Sequence, residues 1–163
     1  MNVNKLKEPY VLILIGPPLV GKTTWIKKNF ANKDVKLISR DQIVLDVYGS
    51  DDYDEAFKNV DQKRVNNVLE STLLKASDNG ENVIVDMTNL TSKRRKHTLS
   101  YFDDNYSKIA VIFPPVDWDE IQKRNEKRKK EENKNIPEHV LKTMLSSYQP
   151  VSHEEGFDKV VSL

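Results

Sequence analysis

Six apolar residues, Tyr10-Val11-Leu12-Ile13-Leu14-Ile15, run straight into Gly16-Pro17-Pro18-Leu19-Val20-Gly21-Lys22-Thr23, and Thr24-Trp25-Ile26-Lys27-Lys28 follow. The first run reads as a buried strand and the last as the opening of a helix. Between them lies a G-x-x-x-x-G-K-[ST] loop, and strand, loop, helix is the setting in which that loop binds phosphate. Its backbone N–H groups and the positive end of the helix attract phosphate oxygens. Lys22 can then reach the β- and γ-phosphates, and the Thr23 hydroxyl can ligate Mg²⁺. A nucleoside triphosphate with Mg²⁺ is therefore expected on Gly16, Pro17, Pro18, Leu19, Val20, Gly21, Lys22, Thr23 and Thr24.

The rest of the chain alternates strand and helix. Val35–Ile38 reads as a second strand ending at Ser39-Arg40-Asp41, with a helix over Gln42–Tyr48 and a break at Gly49-Ser50-Asp51-Asp52. Ala56, Val60, Val68, Leu69, Leu73 and Ala76 fall near helical spacing, which predicts one long amphipathic helix ending at Asn79-Gly80. Val83-Ile84-Val85 is a third strand ending at Asp86. Thr91 is placed to cap a helix reaching about Phe102, whose basic face carries Arg94 and Arg95. Ile109–Phe113 is a fourth strand. A helix from Asp117 or Asp119, a polar stretch over 131–135, a helix from Pro137 and a short strand at Lys159–Ser162 complete the pattern. The expectation is a single α/β domain over residues 1–163: a parallel sheet of about five strands, helices on both faces, and a helical lid. Ligands of such sheets bind at the carboxyl ends of the strands, which groups the phosphate loop, Asp41 and Asp86 at one edge.

Composition narrows the field further. Hydrophobic residues make up 37% of the chain and charged residues 31%, which suits a folded domain with a charge-rich surface rather than disorder. No apolar run approaches the roughly 20 residues that span a bilayer. The run at Tyr10–Ile15 is too short for a signal peptide and leads directly into the loop, so a cytoplasmic, soluble protein is expected. With no cysteine, disulfides, thiolate catalysis and zinc–cysteine sites are excluded. The three histidines, His97, His139 and His153, show no metal-ligand spacing. The net charge of +1 makes no case for a nucleic-acid partner, although Lys93–Lys96 and Lys123–Lys130 are locally basic.

Three features extend the reading from binding to chemistry. Asp41, just past the second strand, could face the γ-phosphate and accept a proton from an acceptor hydroxyl, or it could simply cap the next helix. Asp86 could hold Mg²⁺ from the end of the third strand, or serve as a turn residue. Thr88 and Asn89 could position an acceptor, or stabilise that turn. Arg124 and Arg128 are four residues apart, hence on one helical face, where a closing lid would bring their guanidinium groups to the transferring phosphate.

In this order the motifs make the chain similar, along nearly its whole length, to the kinase domain of the 5′-hydroxyl polynucleotide kinases of the phage and end-healing type. The matching residues are Gly16–Trp25, Ser39-Arg40-Asp41, Asp86-x-Thr88-Asn89, the run Lys123–Arg128, and Ile136–Val140. The resemblance implies an ATP- and Mg²⁺-dependent transferase acting on 5′-OH ends of RNA or DNA. In it Asp41 is the general base, Lys22 and Arg128 stabilise the transferring phosphoryl group, and Arg124 is a secondary contact to the nucleotide. Thr23 and Asp86 serve the metal, and Arg40, Asp41, Asp86, Thr88, Asn89 and Arg95 form the acceptor set.

Two departures stand out. Relatives place small residues where this loop has Leu19 and Val20, and any such position needing φ > 0 would be strained by a bulky side chain. Phage members carry an arginine three residues after the catalytic aspartate, where this chain has Val44. No segment matches the phosphatase domain fused to many of these relatives, so any end repair is expected on the 5′ side only.

Two other classes remain open. One is a small-molecule kinase on the same fold, acting on a nucleoside or sugar nucleotide. The other is a non-catalytic module in which nucleotide regulates RNA binding. The chain also resembles the P-loop domain of the nuclear ribonucleoprotein U family through Asp86-x-Thr88-Asn89 and Pro137-Glu138-His139 to Gly156-Phe157. The retained Asp41 argues against that reading, since those relatives lack the acidic residue. Tyr48 and Tyr53 are candidate stacking platforms for a single strand, or packing residues.

Overall fold

A computed structural model describes residues 1–163. In order, the elements are β1 (Tyr10–Ile15), α1 (Lys22–Phe30), β2 (Lys36–Ser39), α2 (Arg40–Tyr48), α3 (Tyr53–Asn59) and α4 (Gln62–Asp78). They continue with β3 (Val83–Asp86), α5 (Ser92–Leu99), β4 (Ser107–Ile112), α6 (Trp118–Glu132), α7 (Glu138–Ser146) and β5 (Lys159–Ser162). Short 3₁₀ turns lie at Val3–Lys5 and His153–Glu155. All five strands are parallel, in the order β2-β3-β1-β4-β5.

The apolar run that opens the motif is the central strand, and every one of its residues is buried. Strand alternation splits the core in two. Val11, Ile13 and Ile15 face α2, α4 and α5 with Val44, Leu69, Leu73 and Leu99. Tyr10, Leu12 and Leu14 face α1 with Val20, Phe30, Val111 and Phe113. Burial on both faces is what a continuous apolar run in a parallel sheet requires. A third, smaller cluster of Ile121, Ile136 and Leu141 holds α6 against α7. No helix is long and apolar enough to cross a membrane.

The helix predicted across Ala56–Ala76 is two helices. Val60 takes an extended conformation (φ −66°, ψ 144°), and Asp61 restarts the helix, its carboxylate accepting from the N–H groups of Lys63 (2.9 Å) and Arg64 (3.2 Å). Helical spacing continued across the break because Ala56, Val60, Val65 and Leu69 all turn into the same core. Asp61 was the available signal, an N-cap residue hidden inside an apolar periodicity.

Arg95 also departs from expectation. It is fully buried, and its five N–H donors are all spent inside the protein. Nε and Nη2 form a fork with the Glu155 carboxylate at 2.7 Å each; Nη1 donates to the carbonyls of Asn89 and Leu90, both at 3.0 Å, and Nη2 to Pro150 O at 3.2 Å. Arg95 therefore has no donor left for a substrate. It ties the turn after β3 to the segment 150–155, where Glu155 also closes a capping box with Ser152. The hydrogen bonds from Arg95 hold the Glu155 carboxyl below its usual pKa. That contribution to stability is complete above the unfolded value of about 4.3 and is lost as pH falls through the lower folded value. Glu155→Gln should destabilise the protein by about 3–5 kcal/mol at pH 7, because it leaves a buried guanidinium uncompensated. Urea unfolding would measure this, and the gap to wild type should narrow below pH 4.

Candidate active site

The loop between β1 and α1 is shaped by its two glycines for different reasons. A Cβ on Gly16 would come within 3.0 Å of Val20 Cγ2 and 3.2 Å of Phe113 Cβ, so the loop can close over its own base only with glycine there. Gly21 has φ 98° and is the left-handed residue that starts α1. From Val20 to Thr24 the backbone N–H groups donate to no backbone carbonyl, which leaves the first turn of α1 open toward a phosphate. Pro17 and Pro18 have no N–H to offer, so they line the loop without cradling phosphate.

Lys22 folds back on this loop, its ammonium donating to Gly16 O and Pro17 O at 2.8 Å each. Burial lowers its pKa to about 8; Asp86 and Asp41 oppose that shift and Arg128 adds to it. Asp86, half-buried at the end of β3, is pushed above its usual carboxyl value by burial, against the pull of Lys22. Lys22, Asp86, Asp41 and Arg128 thus feel one another's charge at the carboxyl ends of β1, β2 and β3.

Asp41 does not cap α2. Ser39 does, its hydroxyl accepting from Gln42 N, and Asp41 stands exposed in the first turn with its carboxylate uncommitted to the cap. Arg40, half-buried beside it, donates through Nη2 to Gln62 Oε1 (2.7 Å) and Asn66 Oδ1 (3.3 Å) on α4. Arg94, exposed in the first turn of α5, adds a second positive charge close enough to act on Arg40. The turn after β3 divides its labour. Thr88 O accepts from Gly16 N at 3.0 Å, while Asn89 is buried with φ 47° and donates to Leu14 O at 2.7 Å. Asn89 is therefore a strut between β1 and the turn, not an acceptor contact, although its buried Oδ1 has no partner.

The two lid arginines reach the site by different routes. Arg124 donates through Nε to Glu120 (2.8 Å) and through Nη1 to the carbonyl of Leu19 in the loop (2.8 Å). Arg128 lies over the ring of Tyr53, 5.4 Å from its centroid, and its charge acts on Lys22. Tyr53 is buried and stacked on Phe57 at 4.2 Å, so it seats the arginine and is no platform for bases. The Tyr48 hydroxyl donates to Glu55 at 3.0 Å. The polar stretch before α7 is pinned rather than loose. Asn125 exchanges two hydrogen bonds with the backbone of Ile136 (2.8 and 3.2 Å), and Asn135 N donates to Asp54 (3.3 Å) on α3. From sequence Tyr53 stood only as a stacking platform or packing residue and Asn125 only as part of the lid run; no motif signals their places under Arg128 and against Ile136. The only signal for Tyr53 was its place just after the capping Asp52.

Leu19 carries the strain anticipated for the loop. Its φ is 69°, a left-handed conformation costing a residue with a Cβ about 1–2 kcal/mol. Val20 has no positive φ and is a buried wedge beneath Gly16.

No group of three or more carboxylates and histidines is arranged to hold a metal. This fits Mg²⁺, which keeps several waters and is held by one or two protein oxygens together with phosphates. The exposed Thr23 hydroxyl and the half-buried Asp86 carboxylate are the groups placed to do so.

The low pKa of Lys22 gives nucleotide binding a signature. Phosphates add negative charge beside the ammonium and raise its pKa, so binding takes up a proton wherever the free lysine is neutral. Affinity for Mg-ATP should be independent of the titration of Lys22 below pH 8, where the lysine is charged, and should weaken above it, by up to about tenfold per pH unit. Titration calorimetry from pH 7 to 9.5 would measure the slope.

The family model for an AAA domain (AAA_33) matches residues 11–151. Among solved structures, a chain of the Pnkp1/Rnl/Hen1 RNA repair complex is 22% identical with a TM-score of 0.68, over 90% of this chain and 46% of that one. This chain thus spans less than half of that protein chain's length. A chain of the PezAT chromosomal toxin–antitoxin system of Streptococcus pneumoniae is 19% identical (TM-score 0.64), over 96% of this chain and 67% of that one. A gluconokinase from Sinorhizobium meliloti is 13% identical (TM-score 0.56), over 96% and 82%. At these identities the likeness is one of fold. From the phosphate loop to the segment clamped by Arg95, the chain belongs to the AAA domain family and has the fold of a P-loop kinase.

Proposed function

We propose that this protein transfers the γ-phosphoryl group of ATP to the 5′-hydroxyl end of RNA or DNA. The observation that carries the proposal is the setting of Asp41: an exposed carboxylate at the edge that holds Lys22, with Arg40 and Arg94 beside it. The side-chain amides of Gln62 and Asn66 are the groups that hold Arg40, so its positive charge is not cancelled there. An acceptor hydroxyl flanked by phosphate suits such an edge better than a neutral sugar does.

Asp41 takes the proton of the acceptor hydroxyl as its oxygen attacks the γ-phosphorus. The new O–P bond forms while the bond to the β-phosphate oxygen breaks, and ADP leaves. Lys22 and Arg128 neutralise charge on the transferring group, and the N–H groups of Val20–Thr24 hold the β-phosphate. Thr23 and Asp86 would hold Mg²⁺, which would supply further neutralisation of the phosphate charge.

A small-molecule acceptor is the second reading. The position that carries an arginine in the phage enzymes is Val44, which is fully buried on the core side of α2, so it offers no contact to a polymer backbone. The fold is also shared with a gluconokinase over most of that protein's length.

The test is transfer of labelled γ-phosphate from Mg-ATP to 5′-OH RNA and DNA, with 5′-phosphorylated strands, nucleosides and gluconate alongside. Label on 5′-OH strands alone, with a KM that rises with salt, supports the proposal. Label on nucleosides or gluconate instead, with no response to strand length or salt, replaces it with the second reading. Asp41→Asn should lower transfer by about 10²–10⁴-fold while ATP affinity stays near wild type. An Asp41→Asn enzyme that transfers at the wild-type rate would remove the general-base role.

A further inference from the structure

Leu19 is held in the phosphate loop at a backbone angle that glycine would adopt freely. Its carbonyl and its side chain both make contacts outside the loop, and the side-chain contact is the one that accounts for a large residue there. Its side chain packs against the cluster of Ile121, Ile136 and Leu141, in company with Trp118 and Leu145. Its carbonyl accepts from Arg124 Nη1 at 2.8 Å, across 105 residues of sequence. One turn further along α6, Arg128 lies over the Tyr53 ring, where its charge acts on Lys22. A glycine at position 19 would keep the carbonyl contact and lose the apolar one, so the side chain is what joins the loop to the lid mechanically.

We propose that Leu19 is a positioning residue that couples occupancy of the phosphate loop to the placement of Arg124 and Arg128. When phosphate draws the N–H groups of Val20–Thr24 inward, the adjoining Leu19 moves with them, and its side chain carries the Ile121–Ile136–Leu141 cluster and α6 along. Arg128 is thereby set against the γ-phosphoryl group only when the loop is filled. The lid is thus slaved to the nucleotide by an apolar contact instead of by direct ligation alone. The coupling rests on the phosphoryl-transfer reading for its kinetic consequence, but not for its mechanical one.

Trp118 lies on α6 in the same cluster and reports the mechanical part. In a Trp25→Phe background it is the only tryptophan, since the chain has two. Mg-ATP and Mg-ADP should change its fluorescence. In Leu19→Gly, which also relieves the backbone strain, nucleotide should still bind within a few-fold of the parent affinity while the Trp118 response disappears. Transfer should lose on the order of 10- to 100-fold in kcat with little change in the acceptor KM, the pattern of misplaced charge rather than lost binding. Leu19→Met should restore both responses, because it refills the apolar cluster. Leu19→Asn, a left-handed-tolerant polar side chain of similar size, should behave as Leu19→Gly does and covers the case in which the glycine variant fails to fold.

A parent-like Trp118 response and kcat in both Leu19→Gly and Leu19→Asn would overturn the proposal, and so would nucleotide binding to the parent with no Trp118 response. If the parent transfers phosphate to no acceptor yet shows a response that Leu19→Gly abolishes, the coupling stands and the proposed kinase activity falls.

Discussion

The arrangement at the carboxyl edge depends on one hydrogen bond made beyond the end of the sheet, from Gly16 N to Thr88 O. β1 and β3 pair in parallel register, Ile13 beside Val85, and this bond continues the ladder one step into the two loops that follow. Asn89 reinforces it from below through Leu14 O. The base of the phosphate loop at Gly16 is thereby tied to the Asp86 turn, and β2 adds Ser39 beside Asp86 and places Asp41 just past it. Strand pairing thus brings three segments far apart in sequence to a common edge, with the precision of backbone hydrogen bonding instead of side-chain packing.

On that edge the charges are held in mutual tension. Burial lowers the pKa of Lys22 and raises that of Asp86, and Arg128, seated over the Tyr53 ring, adds its charge to the field at Lys22. Groups so placed respond strongly to an added polyanion, because each has a desolvation penalty that phosphate charge can offset. The neighbouring stretch of the edge is built differently. Asp41, Arg40 and Arg94 are more open to solvent and present a charge pattern rather than an enclosure.

Much of this was legible in the sequence, and the reasons are specific. The phosphate loop could be read because a six-residue apolar run, two glycines and a Lys-Thr pair are each demanded by the same geometry. The inner strands β1, β3 and β4 could be read because a parallel sheet buries both of their faces, whereas the edge strands β2 and β5 stay largely exposed. The fission of α3 from α4 was hidden because tertiary packing carried one helical period across a capped break at Asp61. Arg95 misled because a charged residue in a basic run reads as surface. Its partner Glu155 lies 60 residues on, and no local pattern announces a pairing of that range. Val44 could be seen as a departure, but that its position faces the core needed the fold.

The same Arg95–Glu155 pair also constrains how the chain can assemble. Helix α5 cannot sink its guanidinium into the interior while the partner carboxylate is still elsewhere, since the unpaired charge would cost more than the helix gains by docking. Closing a loop of that length is entropically inexpensive beyond its first residues, so the contact is accessible, but it must be made at the same time as α5 seats. The turn bearing Asp86 and Thr88, held by Arg95 through Asn89 and Leu90, therefore reaches its final shape only when the segment around Glu155 arrives. A nascent or truncated chain that stops short of that segment also lacks β5, and even with β1 to β4 paired its turn after β3 would stay unfinished.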